Sequence, residues 1–147
     1  MDNNINIKVN TPRDALSLLT QRIYSKYGAE VLPEIEEAWY KLGLAIGKHM
    51  KKKLPDNGLD TVAQFFVDTA RKRGTKADIL KLDKKEFHLK GYNCALGLDG
   101  KGKELCWAAM GCDRGIFEAA TGSKLKMDII QSIANNDECC ELFIELI

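Results

Sequence analysis

The sequence predicts an α+β fold in which N-terminal helices pack on a mostly antiparallel four-stranded sheet, in the order ααα-ββ-α-ββ. Three observations carry that prediction. Before Gly74, three segments repeat apolar residues at helical spacing between recognisable start and stop signals. From Ile79 the period changes to alternation, the mark of strands with one buried face. After one further helical segment, a second alternating pair runs to the C-terminus.

Residues 1–10 read as a leader or as an edge strand around Ile5 to Val9, and 11–147 as a single α+β ligand-pocket domain. Thr11 as N-cap, Pro12 at the first helical position and Asp14 reaching back open the first helix, and Gly28 stops it. Leu16, Leu19, Ile23 and Tyr27 form its apolar stripe. The second helix, from about Pro33 to Lys53, gathers Ile35, Trp39, Leu42, Ile46 and Met50 on one face and Glu34, Lys41, Lys48 and Lys52 on the other. Gly43 and Gly47 lower helix propensity at the edge of the stripe, so they predict the close approach of another helix or of a subunit. His49 borders the same stripe. After the turn Leu54-Pro55-Asp56-Asn57-Gly58, a third helix capped near Asp60 or Thr61 buries Val62, Phe65, Phe66 and Ala70 and stops at Gly74.

Ile79 to Leu82 and Glu86 to Tyr92, joined by Asp83-Lys84-Lys85, form the first hairpin. Three glycines within residues 97–102 make either a lid or a connector; the spacing required of a phosphate loop is missing. A fourth helix spans Lys103 to Thr121 and ends at Gly122. The last strands are Lys124 to Ile133 and Cys139 to Ile147, and the asparagines of the loop between them tolerate positive φ.

Lys+Arg 22 against Asp+Glu 21 leaves a formal charge of +1, which offers no general field for nucleic acid or an anionic membrane. The runs Lys51-Lys52-Lys53 and Arg71-Lys72-Arg73 fall at helix C-termini, where cations complement the macrodipole. No apolar run reaches the roughly eighteen residues of a membrane span, and the first residues lack the pattern of a secretory signal. A cytoplasmic protein is expected, and in that compartment its five cysteines are free, metal-bound or redox-active rather than a disulfide framework.

Asp113 is the anomaly of the fourth helix. It falls within an arc formed by Leu105, Cys106, Ala108, Ala109, Cys112, Ile116 and Phe117, nearly eclipsing Cys106. A carboxylate there needs donors, a cation or a proton. It either caps a neighbouring segment through backbone N–H groups or orients a ligand or water beside Cys106. Trp107 falls toward the polar side, as a ligand contact or a subunit contact. No Cys-x-x-Cys pair is present, and Cys106 and Cys112 lie about 120° apart on a helix. Cys94, Cys106 and Cys140 sit where they are able to converge in space, whereas Cys112 and Cys139 read as packing residues.

Cys94, then Leu105-Cys106 and Cys112-Asp113 in a helix, then Asn136-Asp137-Glu138-Cys139-Cys140-Glu141-Leu142 is an order that resembles the L-2-amino-thiazoline-4-carboxylic acid hydrolase family. It also resembles the wider group of 4-vinyl-reductase-like and methanogen sensor-output domains, which share a fold with TRAPP transport subunits. The resemblance covers about residues 15–147, with Ala95, Asn136 and Leu142 departing from the proline, glycine and aromatic of the pattern. It implies hydrolysis or binding of a small cyclic C=N carboxylate, in a pocket expected between the fourth helix and the sheet. Asp113 would then handle water, Cys106 or Cys94 would be nucleophile or metal ligand, and a lysine or arginine would hold the substrate carboxylate. The sensor relatives imply instead a non-catalytic small-molecule-binding domain, in which Cys94, Cys140 and Trp107 contact ligand. A zinc ion would there be held by Cys94, Cys106 and Cys140 with Glu138 or Asp113. A homodimer is expected in either case, and a dimeric scaffold whose cysteines merely pack is the third alternative.

Overall fold

The computed structural model describes residues 5–147. Residues 1–4 of the leader lie outside the described residues. Ile5 to Val9 adopt no regular secondary structure, so the edge-strand alternative is not realised; Ile5 is instead buried, and its carbonyl accepts from the Arg22 guanidinium at 3.2 Å. Helix α1 (Pro12–Tyr27) carries the expected capping box, and Gly28, at φ 72°, ends it in a short 3-10 turn. Helices α2 (Leu32–Lys51) and α3 (Leu59–Lys72) follow. The cap of α3 is Gly58 rather than Asp60 or Thr61, because Asp56 Oδ1 takes the Gly58 N–H at 2.9 Å and holds that residue extended.

Strands β1 (Ala77–Leu82) and β2 (Glu86–Gly91) make the first hairpin, and β3 (Leu125–Gln131) and β4 (Cys140–Leu146) the second. The hairpins abut through β2 and β4, which gives a fully antiparallel sheet in the order β1-β2-β4-β3. Between β3 and β4 the chain makes a 3-10 turn at Ile133–Asn135, and Asn136 adopts φ 63° as its short polar side chain permits. Phe87, Leu142, Ile144 and Met127 point from the sheet into the core, where Phe117 stacks on Phe87 at 5.7 Å and tilts on Phe66 at 5.0 Å.

The fourth predicted helix is bent. It divides into α4 (Lys103–Ala109) and α5 (Gly111–Thr121) at Met110, whose ψ of −6° tightens one turn. The ladder nevertheless continues, with Met110 N–H donating to Cys106 at 2.8 Å and Arg114 N–H donating to Met110 at 3.1 Å. Beside this break α5 lies hard against α2. A Cβ on Gly111 would stand 3.0 Å from the Glu36 carbonyl oxygen and one on Gly115 2.5 Å from that of Tyr40, while Cβ atoms on Gly43 and Gly47 would overlap the Cys112 and Ile116 carbonyls. Four glycines thus let α2 and α5 meet backbone to backbone. The partner predicted for Gly43 and Gly47 is a helix of the same chain.

Candidate functional site

The chain leaves β2 at Gly91 and crosses to α4 through residues 92–102, which are tied down along their length, beginning with the Tyr92 N–H on the Lys76 carbonyl at 2.8 Å. Cys94 Sγ accepts the Leu98 N–H at 3.4 Å, and Leu98 is buried. The N–H groups of Gly100 and Gly102 reach the carbonyls of Ile133 and Ala134 at 3.2 and 2.8 Å, which docks the segment on the β3–β4 turn. From α1, Ser17 Oγ donates to the Leu96 carbonyl at 2.8 Å and Gln21 Nε2 to that of Gly97 at 3.2 Å. The glycine-rich stretch is therefore a fastened connector.

Cys94, Cys106 and Cys140 come near one another from three segments: the Cys106 thiol senses charge on Cys140 and Cys94, and the Cys140 thiol senses charge on Cys94. Ser132, buried at the end of β3, is the hydrogen-bond partner of Cys106, and its hydroxyl also accepts the Ala134 N–H at 3.2 Å. Cys140 Sγ accepts from Ile133 at 3.5 Å. Burial pushes the Cys106 thiol up to about 11 and that of Cys140 upward as well, although Ser132 and the Ile133 amide pull in the opposite direction. All five cysteines are free thiols. Sensing charge is a longer-range matter than sharing an ion. Among the described residues no three His, Cys, Asp or Glu side chains are grouped to hold a metal, and Glu138 lies exposed on the turn, so these residues do not fit the zinc arrangement.

Asp113 adjoins Cys112, and its charge reaches both Cys112 and Cys106. Its surface still touches solvent, yet protein crowds its carboxyl closely enough that lost hydration pushes it up to about 6, against the pull of Arg13. Neighbouring Cys112 is driven by burial to about 12. The partner of Asp113 is thus a cation on α1, reached through space, rather than backbone N–H groups. Trp107 is 43% exposed on α4.

The interval between α4 and the sheet, the expected place for a ligand, is filled by Leu98, Leu105, Ala108, Ala134 and Leu142. Space opens elsewhere. A recess of about 240 Å³ lies between the start of α1 and the crossing segment, lined by Ile7, Arg13, Asp14, Ser17 and residues 94–97. Of the predicted site residues, it holds Cys94. Arg13 is the residue that sequence reasoning passed over: its Nε is buried without a hydrogen-bond partner. In the sequence it is one more charge in a first helical turn, and nothing local marks it. Asp14, its neighbour, is occupied by the N–H groups of Asn10 and Thr11, both at 3.0 Å, which hold its carboxyl below the usual range. A second depression, around Asp60, Gln64, Phe65, Asp68 and Leu82, is a shallow dish on α3.

No protein-family model and no curated protein sequence matches the chain. Solved structures do. The phenol-responsive sensory domain of the transcription activator PoxR, with phenol, superposes with a TM-score of 0.68 at 11% identity, over 95% of this chain and 76% of that one. Subunit 3 of the trafficking protein particle complex from Naegleria fowleri, covalently bound to palmitic acid, gives 0.66 at 15% identity, over 92% and 95%. The chain has their fold. An H-NOX protein from S. oneidensis in its Fe(II)NO state is more distant, at 0.53 and 13% identity over 100% and 83%. Among the described residues no helix is long and apolar enough to cross a membrane.

Proposed function

We propose that this chain is a small-molecule-binding domain whose ligand, a compact carboxylate, occupies the recess beside α1 and is held there by Arg13. The observation that carries the reading is the recess itself, which places an arginine with an unpartnered buried Nε beside a thiol and a helix N-terminus in about 240 Å³. That volume lies below the range of drug-sized pockets and well above what a single water needs, so it suits a molecule of one ring. Guanidinium recognises carboxylate with charge-assisted hydrogen bonds. The shared fold adds support, because one neighbour is described as responsive to phenol, a molecule of that size.

Hydrolysis of a cyclic C=N carboxylate is the narrower form of the reading. What supports it is the sequence resemblance together with Asp113, whose carboxyl near pH 6 suits proton transfer. Cys106 serves it poorly: the thiol is raised to about 11, and its partner Ser132 is no base. Neither residue lines the recess, and binding without turnover is the better reading.

Calorimetric titration with benzoate and with 2-amino-thiazoline-4-carboxylate, read for heat of binding and for product, tests both forms. Wild-type protein is expected to bind, and Arg13→Gln to lose about ten-fold or more in affinity, the value of one charge-assisted contact. Equal affinities would remove Arg13 from the site. Product formed by wild type and abolished in Asp113→Asn would restore the hydrolytic form.

A further inference from the structure

The thiol in the recess has chemistry that reversible binding leaves unused. Resting on the reading of the recess as a pocket, we propose that Cys94 is a covalent-capture residue for small electrophilic carboxylates, steered onto its Sγ by Arg13. Four observations converge on it.

The first is placement. Cys94 is the cysteine that lines the recess, with Arg13 and Ser17 across from it and Ala95 to Gly97 at its side. The second is the condition of the other four cysteines. Cys112 and Cys139 are buried, 1% and 4% exposed, while burial holds Cys106 and Cys140 toward the protonated thiol. Third, Cys94 Sγ already receives the Leu98 N–H at 3.4 Å, a donor that fixes the position of the sulfur at the wall of the recess. The fourth is the charge of the walls. Two carboxylates act on Arg13: Asp14, whose Oδ2 is taken by two backbone N–H groups, and Asp113, which reaches it only through space. The Leu96 carbonyl is taken by Ser17. Arg13, by contrast, keeps a buried Nε without a partner, and the cation lies at the first turn of a 16-residue helix whose dipole adds to its field. An incoming carboxylate is drawn to Arg13, which brings the carbon beside it toward Cys94.

The step balances without a co-reactant beyond water. With an α,β-unsaturated carboxylate the thiol proton passes to water and an Sγ lone pair forms the C–S bond at the β-carbon. The displaced π pair settles on the α-carbon, which takes a proton from water, so thiol plus alkene gives thioether with nothing oxidised or reduced. With an α-halo acid the C–S bond forms as the carbon–halogen bond breaks and halide departs.

Iodoacetate and iodoacetamide separate charge steering from plain accessibility, since they differ in charge and share the leaving group. Native protein is treated with each, and modification is followed site by site by peptide mass spectrometry. Cys94 is expected to react first among the five cysteines. Its preference for iodoacetate over iodoacetamide is expected to exceed that of free cysteine by about ten-fold, the low end of what charge focusing in a cleft provides. Arg13→Gln is expected to bring the iodoacetate-to-iodoacetamide ratio at Cys94 down to that of free cysteine, a ratio in which any change common to both reagents cancels. Excess benzoate slows iodoacetate at Cys94 in wild type, a readout that requires no variant. Faster modification of Cys106 or Cys140 would overturn the proposal, as would a Cys94 preference no greater than that of free cysteine or one that Arg13→Gln leaves intact. Benzoate binding beside an inert Cys94 sinks covalent capture and spares the pocket; failure of carboxylates to bind sinks the pocket reading itself.

Discussion

Two contacts made by the helices treat space in opposite ways. Where α2 crosses α5, glycines press backbone against backbone and leave no room for a methyl group. Where α1 meets residues 94–97, side chains of Ser17 and Gln21 reach out to carbonyls and hold the segment at arm's length, and a recess remains beneath. The first contact sets the position of α5, hence of Cys112 and Asp113. The second sets Cys94 opposite Arg13. Close packing makes groups inert by excluding reactants, while tethered packing leaves them addressable.

Three substitutions sharpen or break this contrast. Gly43→Val puts a branched side chain into the Cys112 carbonyl, and since backbone has to move, a loss of at least about 3 kcal/mol is expected in urea denaturation. A smaller loss would mean that the crossing is looser than described.

Asp113 gives the next effect, and its sign follows from linkage. The folded carboxyl, at about 6, holds its proton more tightly than the unfolded one, near 3.8. Below 3.8 both states are protonated and the group costs nothing; through the window from 3.8 to about 6 the folded state binds more protons, so stability falls as pH rises; above it the cost is constant. Asp113→Asn, which stays neutral, is therefore expected to match wild type in acid and to gain on it up to about pH 6, by at most about 3 kcal/mol and less to the extent that solvent reaches the carboxyl. A gap independent of pH would show that Arg13 compensates the charge fully.

Smallest is Ala95→Val, which adds the same branched side chain as Gly43→Val but in the recess. Its expected effect on stability is within about 0.5 kcal/mol. A cost comparable to that of Gly43→Val would erase the distinction between the two contacts.

The fold was legible because period and punctuation are local. Thr11, Pro12 and Gly28 bracket α1 within the residues that form it, and the alternation of Met127 and Ile129 against Leu142 and Ile144 declares the buried face of the second hairpin. Asp113 was legible as a violation of the pattern around it, a carboxylate in an apolar arc, and burial raises its carboxyl. Cys94, Cys106 and Cys140 were singled out from the ends of the elements that carry them. The break at Met110 was not legible, since the apolar arc runs through it from Leu105 to Ala120 without a Pro or other stop signal at that residue. Nor was the recess. Arg13 and Cys94 are joined by the Ser17 and Gln21 contacts to residues 96 and 97, bonds that span more than seventy residues and leave no trace in local composition. A pocket between α4 and the sheet was expected because apolar residues face one another there; they fill it.

The sheet order also governs how the domain holds together in time. Each hairpin closes through its own short connection, so β1–β2 and β3–β4 are local structures of a kind that is marginal alone in water. The ladder that unites them, Phe87 against Ile144 and Leu89 against Leu142, encloses the whole of α4 and α5. Its closure carries the entropy cost of a long loop, a cost that varies only slowly with length, so shortening the free chain by docking α5 on α2 lowers it modestly. The larger help is positional: the glycine crossing sets α5 where Phe117 meets Phe87, and so gives the β2–β4 seam a surface to close on.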